Sequence, residues 1–359
     1  MSNTGFPQQP GKKRFGSVKR QSVTISQESL VRTEYLQPEQ RLPLVIHPAI
    51  DDVHFIDWTQ AHRDDLRAQL LTHGGVLFRG FTWDAGTQFR QFISAISQEL
   101  LRYQDQATPR TEVGGGIYTS TDYPANQSIE LHNENSYAHT WPGKIFFCCI
   151  RAAQQGGETP IADSRKVFAR LRPEIREGFL QKQVMYMRNF GDNLGITWQT
   201  AFQTTERSEM EEYCRCAGIE FEWKGKNRLR TWQIRPAALK HPQTGEDVWF
   251  NQATAFHIST LDAGIREALL AELSQEDVPK NAFYGDGTPI EDQVLDEIRA
   301  AYVQETVRFP WQEGDILMLD NMLIAHGRSP FVGPRKVVVG MAEPWSWAQI
   351  QQSGEQAGM

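Results

Sequence analysis

Short apolar segments, separated by glycine, proline and asparagine, recur along this chain from Ile129 onward. Residues 145–150, 159–162 and 316–319 are clear examples, with turn-forming residues in the stretches between them. Short strands divided in this way are typical of an antiparallel sandwich or barrel. The pattern therefore predicts that β-sheet forms the core of the fold.

Segments of helical character accompany these strands. They are residues 58–72, 88–99 and 164–179, and the second has its apolar side chains at the spacing of an amphipathic helix. A long stretch that is both aromatic and polar follows at 188–310. We therefore expect an α+β fold in which helices pack outside a β core.

Both ends of the chain have compositions that are typical of disorder. Residues 11–20 contain lysines and arginines but no acidic residue, in surroundings rich in glycine, proline, glutamine and serine. No linker clearly divides the remainder into two domains. We expect a disordered basic tail at 1–25, a single domain at 26–350 and a disordered C-terminus at 351–359.

Charge and hydropathy exclude several classes of protein. A net charge of −7 argues against a generally basic nucleic-acid binder. No apolar run approaches the ~18 residues that span a bilayer, and the N-terminus lacks the apolar centre of a signal peptide. The cysteines lack C-x-x-C spacing, and the adjacent Cys148 and Cys149 are expected to be core residues. These features favour a cytoplasmic enzyme without a membrane or nucleic-acid partner.

A His-x-Glu motif supplies two candidate metal ligands. His132 and Glu134 are two residues apart, so on a strand both side chains project to the same side. With the distant His326 they make two imidazoles and one carboxylate, the facial triad of non-haem iron(II) oxygenases. The same ligand set also suits zinc, and the spacing alone leaves both metals open.

The residues around these ligands carry a wider resemblance. A Gly-Gly-Glu-Thr turn ends at Thr159, 27 residues after His132, and Arg335 stands nine residues after His326. With these elements the chain resembles, from about residue 70 to 345, the taurine-dioxygenase-like family of iron(II)/2-oxoglutarate oxygenases. The resemblance implies a double-stranded β-helix, or jelly-roll, core with a long insert between the two halves of the metal site. The domain at 26–350 would then be an oxygenase domain.

The same resemblance implies a role for each motif residue. Fe(2+) would be bound by His132, Glu134 and His326, and 2-oxoglutarate by Thr159 and Arg335, with O2 as the second cosubstrate. A guanidinium suits the far carboxylate of 2-oxoglutarate because it can donate two parallel hydrogen bonds. Arg328 is the alternative to Arg335, although we expect it to fix the loop after His326 or to face the substrate. A zinc hydrolase would leave Thr159 and Arg335 unexplained.

Two departures from the family pattern bear on the reaction. Glu134 stands where many relatives have Asp, and in this it resembles clavaminate synthase and related amino-acid hydroxylases. Halogenases of the family have a small residue at that position, so Glu134 favours hydroxylation over halogenation. Sulfonate-oxidising members have a second Arg four residues after the cosubstrate Arg, where this chain has Val339. A sulfonate substrate is therefore not expected.

Further segments resemble one branch of the family. Residues 118–124 and 241–252 are similar to hydroxylases of nonribosomal peptide pathways, some of which oxidise aspartyl groups on carrier proteins. This implies hydroxylation of an unactivated C–H bond of an amino-acid-like substrate, free or carrier-tethered, in specialised or antibiotic biosynthesis, with succinate and CO2 as coproducts. The basic segment 224–230 is a candidate surface for an acidic carrier protein. Candidate substrate residues are Arg188, Trp198, Phe202, Asn251 and Arg328.

Two other hypotheses stay open at this point. Substrate geometry could direct the same iron chemistry to desaturation, epoxidation or cyclisation. A non-catalytic β-sandwich binding protein that keeps the fold without turnover is the alternative of another class.

Overall fold

The computed structural model describes residues 30–101, 110–120, 123–191 and 195–357. The basic tail predicted at 1–25 lies outside the described residues. Strands of the described residues are β1 (Val31–Gln37), β2 (Gln40–Pro48), β3 (Gly75–Phe78), β4 (Glu112–Gly114), β5 (Ile117–Thr119), β6 (Ile129–His132), β7 (Thr140–Arg151), β8 (Gln155–Gly156), β9 (Ile161–Asp163), β10 (Val184–Phe190), β11 (Glu220–Trp223), β12 (Leu229–Arg235), β13 (Ala238–Lys240), β14 (Asp247–Trp249), β15 (Lys280–Tyr284), β16 (Thr306–Val307), β17 (Ile316–Asp320), β18 (Ile324–Arg328), β19 (Phe331–Val332) and β20 (Lys336–Ser346).

The helices lie mainly before β4 and within the long stretch between β9 and β17. They are α1 (Phe55–Ala61), α2 (Arg63–His73), α3 (Ala85–Ile96), α4 (Ser164–Arg170), α5 (Pro173–Lys182), α6 (Trp198–Phe202), α7 (Arg207–Ala217), α8 (Ala253–Phe256), α9 (Ala263–Glu272), α10 (Asp292–Glu305) and α11 (Trp347–Ala357). None of the helices in the described ranges combines the length and apolar character that a bilayer-spanning segment needs.

Two sheets form the centre of the molecule. The larger has eight strands in the order β1-β2-β3-β17-β7-β20-β5-β4, and the smaller has four in the order β16-β9-β18-β6. All neighbouring strands in both sheets are antiparallel except β2 and β3. The predicted β core is confirmed, and the order of the strands differs from their order along the chain.

Alternation along β7 explains why its residues 145–150 are apolar without interruption. Ile145 and Phe147 belong to the core that contains Ile161 and Ile324 of the smaller sheet, whereas Phe146 belongs to a second core under α1 to α3. Because successive side chains point to opposite faces, a strand covered on both faces has to be apolar at every position. The larger sheet is therefore packed between helices and the smaller sheet.

Helix α3 illustrates how the outer layer is specified. It begins after Asp84, whose carboxylate accepts a hydrogen bond from the N–H of Gly86. Phe89, Phe92 and Ile93 lie on its buried face, as their spacing predicts. The prediction of helices packed outside the β core is confirmed here.

The long stretch at 188–310 contains a folded layer of its own. Its strands form a third sheet in the order β11-β12-β10-β15, surrounded by α6 to α10. Tyr186 of β10 and Ala282 of β15 share a core with Ala162 and Ala325 from the smaller sheet. This insert thus packs on the face of the smaller sheet that is turned away from the larger one.

The C-terminal residues differ from the sequence-based expectation. Helix α11 continues through 351–357, which the sequence analysis assigned to a disordered terminus. Its first residue, Trp347, is buried and packs on Trp141 with ring centroids 4.7 Å apart. This contact anchors the helix to the core. The boundaries of one oxygenase domain at 26–350 stay a prediction.

The cysteines follow the expectation for core residues. Cys148 and Cys149 are buried and free of disulfide bonds. Burial raises the pKa of the Cys149 thiol to about 12 and that of Cys148 further still. Neither thiol is therefore ionised near neutral pH, which is the state of inert structural cysteines.

Candidate active site

Two adjacent strands of the smaller sheet bring the candidate ligands together. His132 ends β6 and lies directly opposite His326 of β18, with Glu134 in the turn that follows β6. An oxygen of Glu134 lies 3.5 Å from Nε2 of His326. One ligand atom from each of the three residues lies within 4.8 Å of the others. The spacing of the motif and the pairing of two distant strands thus create a three-residue cluster.

A buried asparagine holds the turn that contains Glu134. The side chain of Asn321 accepts a hydrogen bond from the N–H of Glu134 at 2.7 Å and donates to the Glu134 and Pro142 carbonyls at 2.9 Å each. In return, Asn133 donates from its side chain to the Asn321 carbonyl at 2.7 Å. The two asparagines therefore fix the backbone beneath the cluster, a role that the sequence analysis did not assign to either residue.

The ionisation of the cluster suits a divalent metal. Desolvation, together with the neighbouring His326, lowers the pKa of His132 to about 4. Burial alone would raise the pKa of Glu134, but Arg110 and the hydrogen bond to His326 outweigh it and hold the pKa well below its usual range. At neutral pH the cluster therefore presents an unprotonated imidazole at position 132 and a carboxylate, the ligand forms that bind metals.

The orientation of His132 also fits metal binding. Its Nδ1 lies 2.8 Å from the carbonyl oxygen of Glu130. When Nδ1 carries the proton and donates it to a carbonyl, the other ring nitrogen, Nε2, has a free electron pair that can bind a metal. Together with the carboxylate of Glu134 and the nearby His326, this donor set fits Fe(2+).

Arg110 lies against the cluster and was missed by the sequence analysis. Its guanidinium donates to the Glu134 carboxylate at 2.6 Å, and both side chains are buried. Arg110 lies before β4, and strands β4 and β5 separate it from the His-x-Glu motif along the chain. No spacing rule therefore connects Arg110 to that motif. Its position depends entirely on the tertiary fold.

A pocket surrounds the cluster, with a buried part around Glu134 and His326 and an exposed part around Tyr123 and Lys280. Its lining includes the two predicted cosubstrate residues, Thr159 and Arg335. The remaining lining residues are Arg110, Ser120, Ser128, Ile129, Glu130, His132, Tyr137, Phe147, Gln252, Ala255, Phe256, Thr260, Gly327 and Arg328.

Arg335 is held by the Gly-Gly-Glu-Thr turn. Its Nε donates to the carbonyl of Gly157 at 2.8 Å, and another guanidinium nitrogen donates to the Ser120 hydroxyl at 3.2 Å. Gly157 has φ +74°, and a Cβ there would lie 3.0 Å from Cδ of Arg335. The turn therefore needs glycine both for its backbone conformation and for the close approach of the arginine.

The electrostatic surroundings of Arg335 favour an anionic ligand. Burial and the neighbouring Arg328 lower its pKa to about 10, so the guanidinium is still charged at neutral pH. Thr159 lines the same pocket, and its hydroxyl accepts a hydrogen bond from the Trp311 indole at 3.2 Å. A carboxylate bound beside Arg335 and Thr159 would relieve the repulsion between Arg335 and Arg328.

Arg328, the alternative to Arg335, has a different environment. It donates to the backbone carbonyls of Tyr123 at 2.9 Å, Pro124 at 2.5 Å and Gln127 at 2.9 Å. These bonds fix the loop that precedes β6, whereas we expected the loop after His326. Arg328 also lines the pocket, which leaves its predicted contact with substrate a prediction.

The structure does not bring the other four substrate candidates to the pocket lining. Arg188 is buried, with its guanidinium 4.7 Å from the ring centre of Phe190. Trp198 and Phe202 pack in the small core around α6 and α7. Asn251 is buried and bonds to the Ala237 carbonyl at 2.8 Å. Packing or backbone hydrogen bonds within the insert hold these side chains, and their contact with substrate stays a prediction.

Charged residues in the exposed part of the pocket were not identified as site residues from the sequence. Glu130 precedes His132 by two residues, and that spacing places both on one face of β6. The alternation was therefore a usable signal for Glu130. Lys280 had no such signal, because the pairing of β15 with β10 positions it.

Comparisons with known proteins identify relatives of this chain. The model of the family described as taurine catabolism dioxygenase TauD, TfdA family matches residues 35–341. The dapdiamide synthesis protein DdaC of Enterobacter agglomerans is 45% identical over 275 residues, which cover 77% of this chain and 84% of that protein. A clavaminate synthase-like protein of Arabidopsis thaliana is 28% identical over 316 residues, covering 85% of this chain and 92% of that protein.

A solved structure shows the same fold. PvcB, described as an Fe, alpha-ketoglutarate dependent oxygenase from an isonitrile synthetic pathway, superposes with a TM-score of 0.53 at 16% identity. The match covers 88% of this chain and 92% of PvcB. The predicted jelly-roll fold and the predicted enzyme class are confirmed. This chain belongs to the TauD/TfdA family and is an iron(II)/2-oxoglutarate-dependent dioxygenase.

Proposed function

We propose that this dioxygenase hydroxylates an unactivated C–H bond of an amino-acid-like small molecule in specialised metabolism, releasing succinate and CO2. The observation that carries the proposal is the cluster of His132, Glu134 and His326, whose ligand atoms lie within 4.8 Å of one another in a pocket shared with Thr159 and Arg335. The cluster would hold Fe(2+), and the other two residues would bind 2-oxoglutarate.

The bound iron and 2-oxoglutarate supply the oxidising chemistry, and the protein supplies binding and orientation. Arg335 binds the far carboxylate of 2-oxoglutarate through its charged guanidinium, with the Thr159 hydroxyl beside it. Phe147 and Phe256 line the same pocket, and the ring centre of Phe147 lies 5.0 Å from that of His326. They exclude water from the reacting C–H bond, which protects it from competing reactions.

The relatives support the substrate class. The protein with 45% identity is named for dapdiamide synthesis, and the structural relative is described as part of an isonitrile synthetic pathway. Charged groups in the exposed part of the pocket, including Glu130 and Lys280, suit a polar small molecule. We therefore propose an amino-acid-like substrate of a biosynthetic pathway.

The basic segment at 224–230 gives less support to a carrier-protein partner. Lys224 lies 3.6 Å from Asp277, and Arg230 contacts Asp277 at 2.5 Å and Glu276 at 3.4 Å. These charges already have acidic neighbours within the chain. The exposed Lys226 and Arg228 would remain for docking, and we propose a free substrate ahead of a tethered one.

Succinate release tests the proposal. The protein loaded with Fe(2+) and 2-oxoglutarate should release succinate in an oxygen-dependent reaction that an amino-acid substrate accelerates. His132→Ala and Glu134→Ala should abolish this release, because either change removes a metal ligand. The control His139→Ala alters a half-buried histidine outside the pocket lining and should retain turnover.

Spectroscopy and product mass complete the test. Without oxygen, adding Fe(2+) and 2-oxoglutarate should give a visible charge-transfer band that both ligand variants lose. A product heavier by one oxygen atom indicates hydroxylation, whereas a product lighter by two hydrogens indicates desaturation. Full coupled activity in His132→Ala would contradict the ligand assignment.

A further inference from the structure

We propose that Glu130 and Lys280 form a paired-charge subsite, in which Glu130 binds the ammonium group of the substrate and Lys280 binds its carboxylate. The inference rests on the proposed function, since it names the substrate chemistry of the same pocket. The inference assigns substrate specificity to these two residues. In the described part of the chain, neither side chain forms a hydrogen bond to the ligand cluster or to the 2-oxoglutarate residues.

Glu130 faces the pocket with weak partners. Its carboxylate lies 3.5 Å from the Thr260 hydroxyl and 3.9 Å from Nε of Arg299, and its side chain is 37% exposed. Arg299 bonds more closely elsewhere, to Asp296 at 2.9 Å and to Ser259 at 2.6 Å. Within the described residues, the carboxylate thus has no short charge-assisted hydrogen bond. An ammonium group would provide one.

Lys280 presents the opposite charge to the same pocket. Its ammonium donates to the Ala255 carbonyl at 2.9 Å and lies 5.2 Å from the ring centre of Phe256. No carboxylate lies within 4.0 Å of it among residues 30–101, 110–120, 123–191 and 195–357. Two of its three N–H donors therefore have room for an external acceptor.

A second cation strengthens the preference of this position for an anion. Lys280 lies directly opposite Arg188 in the β15 and β10 pair, and directly paired residues project to the same face. Although part of the side chain is exposed, desolvation of its ammonium group beside Phe256 and the Arg188 charge together lower the pKa of Lys280 to about 8. A carboxylate bound to Lys280 would offset this repulsion.

The two opposite charges line one pocket without forming an ion pair with each other in the described structure. An α-amino acid carries an ammonium and a carboxylate on the same carbon, so it can bridge them. A neutral molecule or one with a single charge would leave one side chain without its partner, which is costly in a partly desolvated site. A tethered amino acid with an acidic side chain offers the same two charges, and the experiment separates these sources.

The first experiment uses derivatives of the substrate. The Fe(2+)-loaded enzyme is assayed for succinate with each proteinogenic L-amino acid, and the fastest is compared with its N-acetyl and C-amide derivatives. Blocking either charge should lower kcat/KM by roughly tenfold to a hundredfold, as expected for loss of one charge-assisted hydrogen bond. A kcat/KM for either derivative equal to that of the free amino acid would overturn the inference, as would a panel in which no free amino acid raises succinate release.

The second experiment pairs each derivative with a variant. Glu130→Gln should raise KM for the free amino acid by roughly tenfold to a hundredfold but leave the N-acetyl derivative unaffected, because that derivative lacks the ammonium. Lys280→Met should likewise raise KM for the free amino acid but leave KM for the C-amide derivative unaffected, because that derivative lacks the carboxylate. Lys280→Arg should restore binding of the free amino acid. A uniform loss across all three compounds would contradict the assigned roles.

Controls separate this inference from the proposed function. Lys240→Met and Asp247→Asn alter an exposed ion pair outside the pocket lining. Both variants should leave KM for the amino acid and KM for 2-oxoglutarate unchanged. The anaerobic charge-transfer band should persist in Lys280→Met with an unchanged KM for 2-oxoglutarate. A protein that forms the band and accepts only a thioester-linked amino acid keeps the proposed iron chemistry but refutes a free substrate. Loss of the band in the unaltered protein would refute the proposed function itself.

Discussion

The buried and exposed parts of the pocket are built from different regions of the chain. In the buried part, His132, Thr159 and His326 come from strands of the smaller sheet or the turns beside them. In the exposed part, Lys280 and Thr260 come from the insert that packs on that sheet. The buried part contains the proposed metal and 2-oxoglutarate residues, whereas the insert supplies groups that we propose select the substrate.

This difference predicts which kinetic constant each substitution changes. Alterations in the buried part should affect metal and 2-oxoglutarate binding, and alterations in the insert should affect only substrate binding. Glu130 is the point of contact between the two, because it lies on a sheet strand but faces the insert residue Thr260. If a substitution in the insert changed metal or 2-oxoglutarate binding, the two parts of the pocket would not act separately.

The largest effect is expected at Arg335. Arg335→Met should raise KM for 2-oxoglutarate by roughly a hundredfold, because it removes the charged donor to the far carboxylate. Arg335→Lys should give an intermediate value, since it keeps the charge but loses the planar fork. The neighbouring exposed Lys336→Met is the control, and an equal rise in its KM would contradict the assignment.

A smaller effect is expected at Asn321. Asn321→Ala removes the bonds that hold the Glu134 turn and should weaken Fe(2+) binding by roughly tenfold, as for residues that orient metal ligands. Its free energy of unfolding should fall by about 2 kcal/mol. Iron titration of the charge-transfer band and urea denaturation measure the two effects.

Asn189→Ala is the matched control for Asn321. Asn189 is also buried and donates to the carbonyls of Glu276 and Val278 at 2.7 Å each, but it lies in the insert. The free energy of unfolding of Asn189→Ala should fall about as much as that of Asn321→Ala, while its affinity for iron is retained. Equal loss of iron affinity in both variants would mean that Asn321 acts through general stability alone.

The pH dependence of substrate binding should report on Lys280. Its pKa is lowered to about 8, mainly by desolvation and by Arg188, so the side chain is charged below that pH and neutral above it. KM for an amino-acid substrate should therefore rise, by roughly fivefold to tenfold from about pH 7 to about pH 9. In Lys280→Arg the rise should disappear, which distinguishes it from titration of the substrate amine. An identical rise in that variant would exclude Lys280 as the cause.

The smallest effect is expected at Phe202. This residue packs on Phe190 and Tyr213, with ring centroids 5.7 Å away in both cases, and does not line the pocket. Phe202→Leu should change KM for substrate by less than about twofold while lowering stability by about 1 kcal/mol. Phe256→Leu, inside the pocket, is the comparison and should change KM more. The reverse order would support Phe202 as a substrate residue.

Local spacing is the strongest sequence signal for the candidate site. The interval of two between His132 and Glu134 predicted side chains that project together, and the family motif extended this to Thr159 and Arg335. Glu130 could have been found by the same alternation along β6. By contrast, the candidates Arg188, Trp198 and Phe202 were chosen by residue type, which does not distinguish a core position from a pocket position.

The sequence by itself determined the β core, the outer helices, the ligand types and the family. These follow from periodicity and short motifs, because side-chain direction along a strand or helix is set by local backbone geometry. Only the tertiary structure decided that Arg110 contacts Glu134, that Asn321 holds its turn, and that Lys280 joins the pocket. Such contacts link residues far apart in the chain, and they depend on which strands pair and which layers pack rather than on any local pattern.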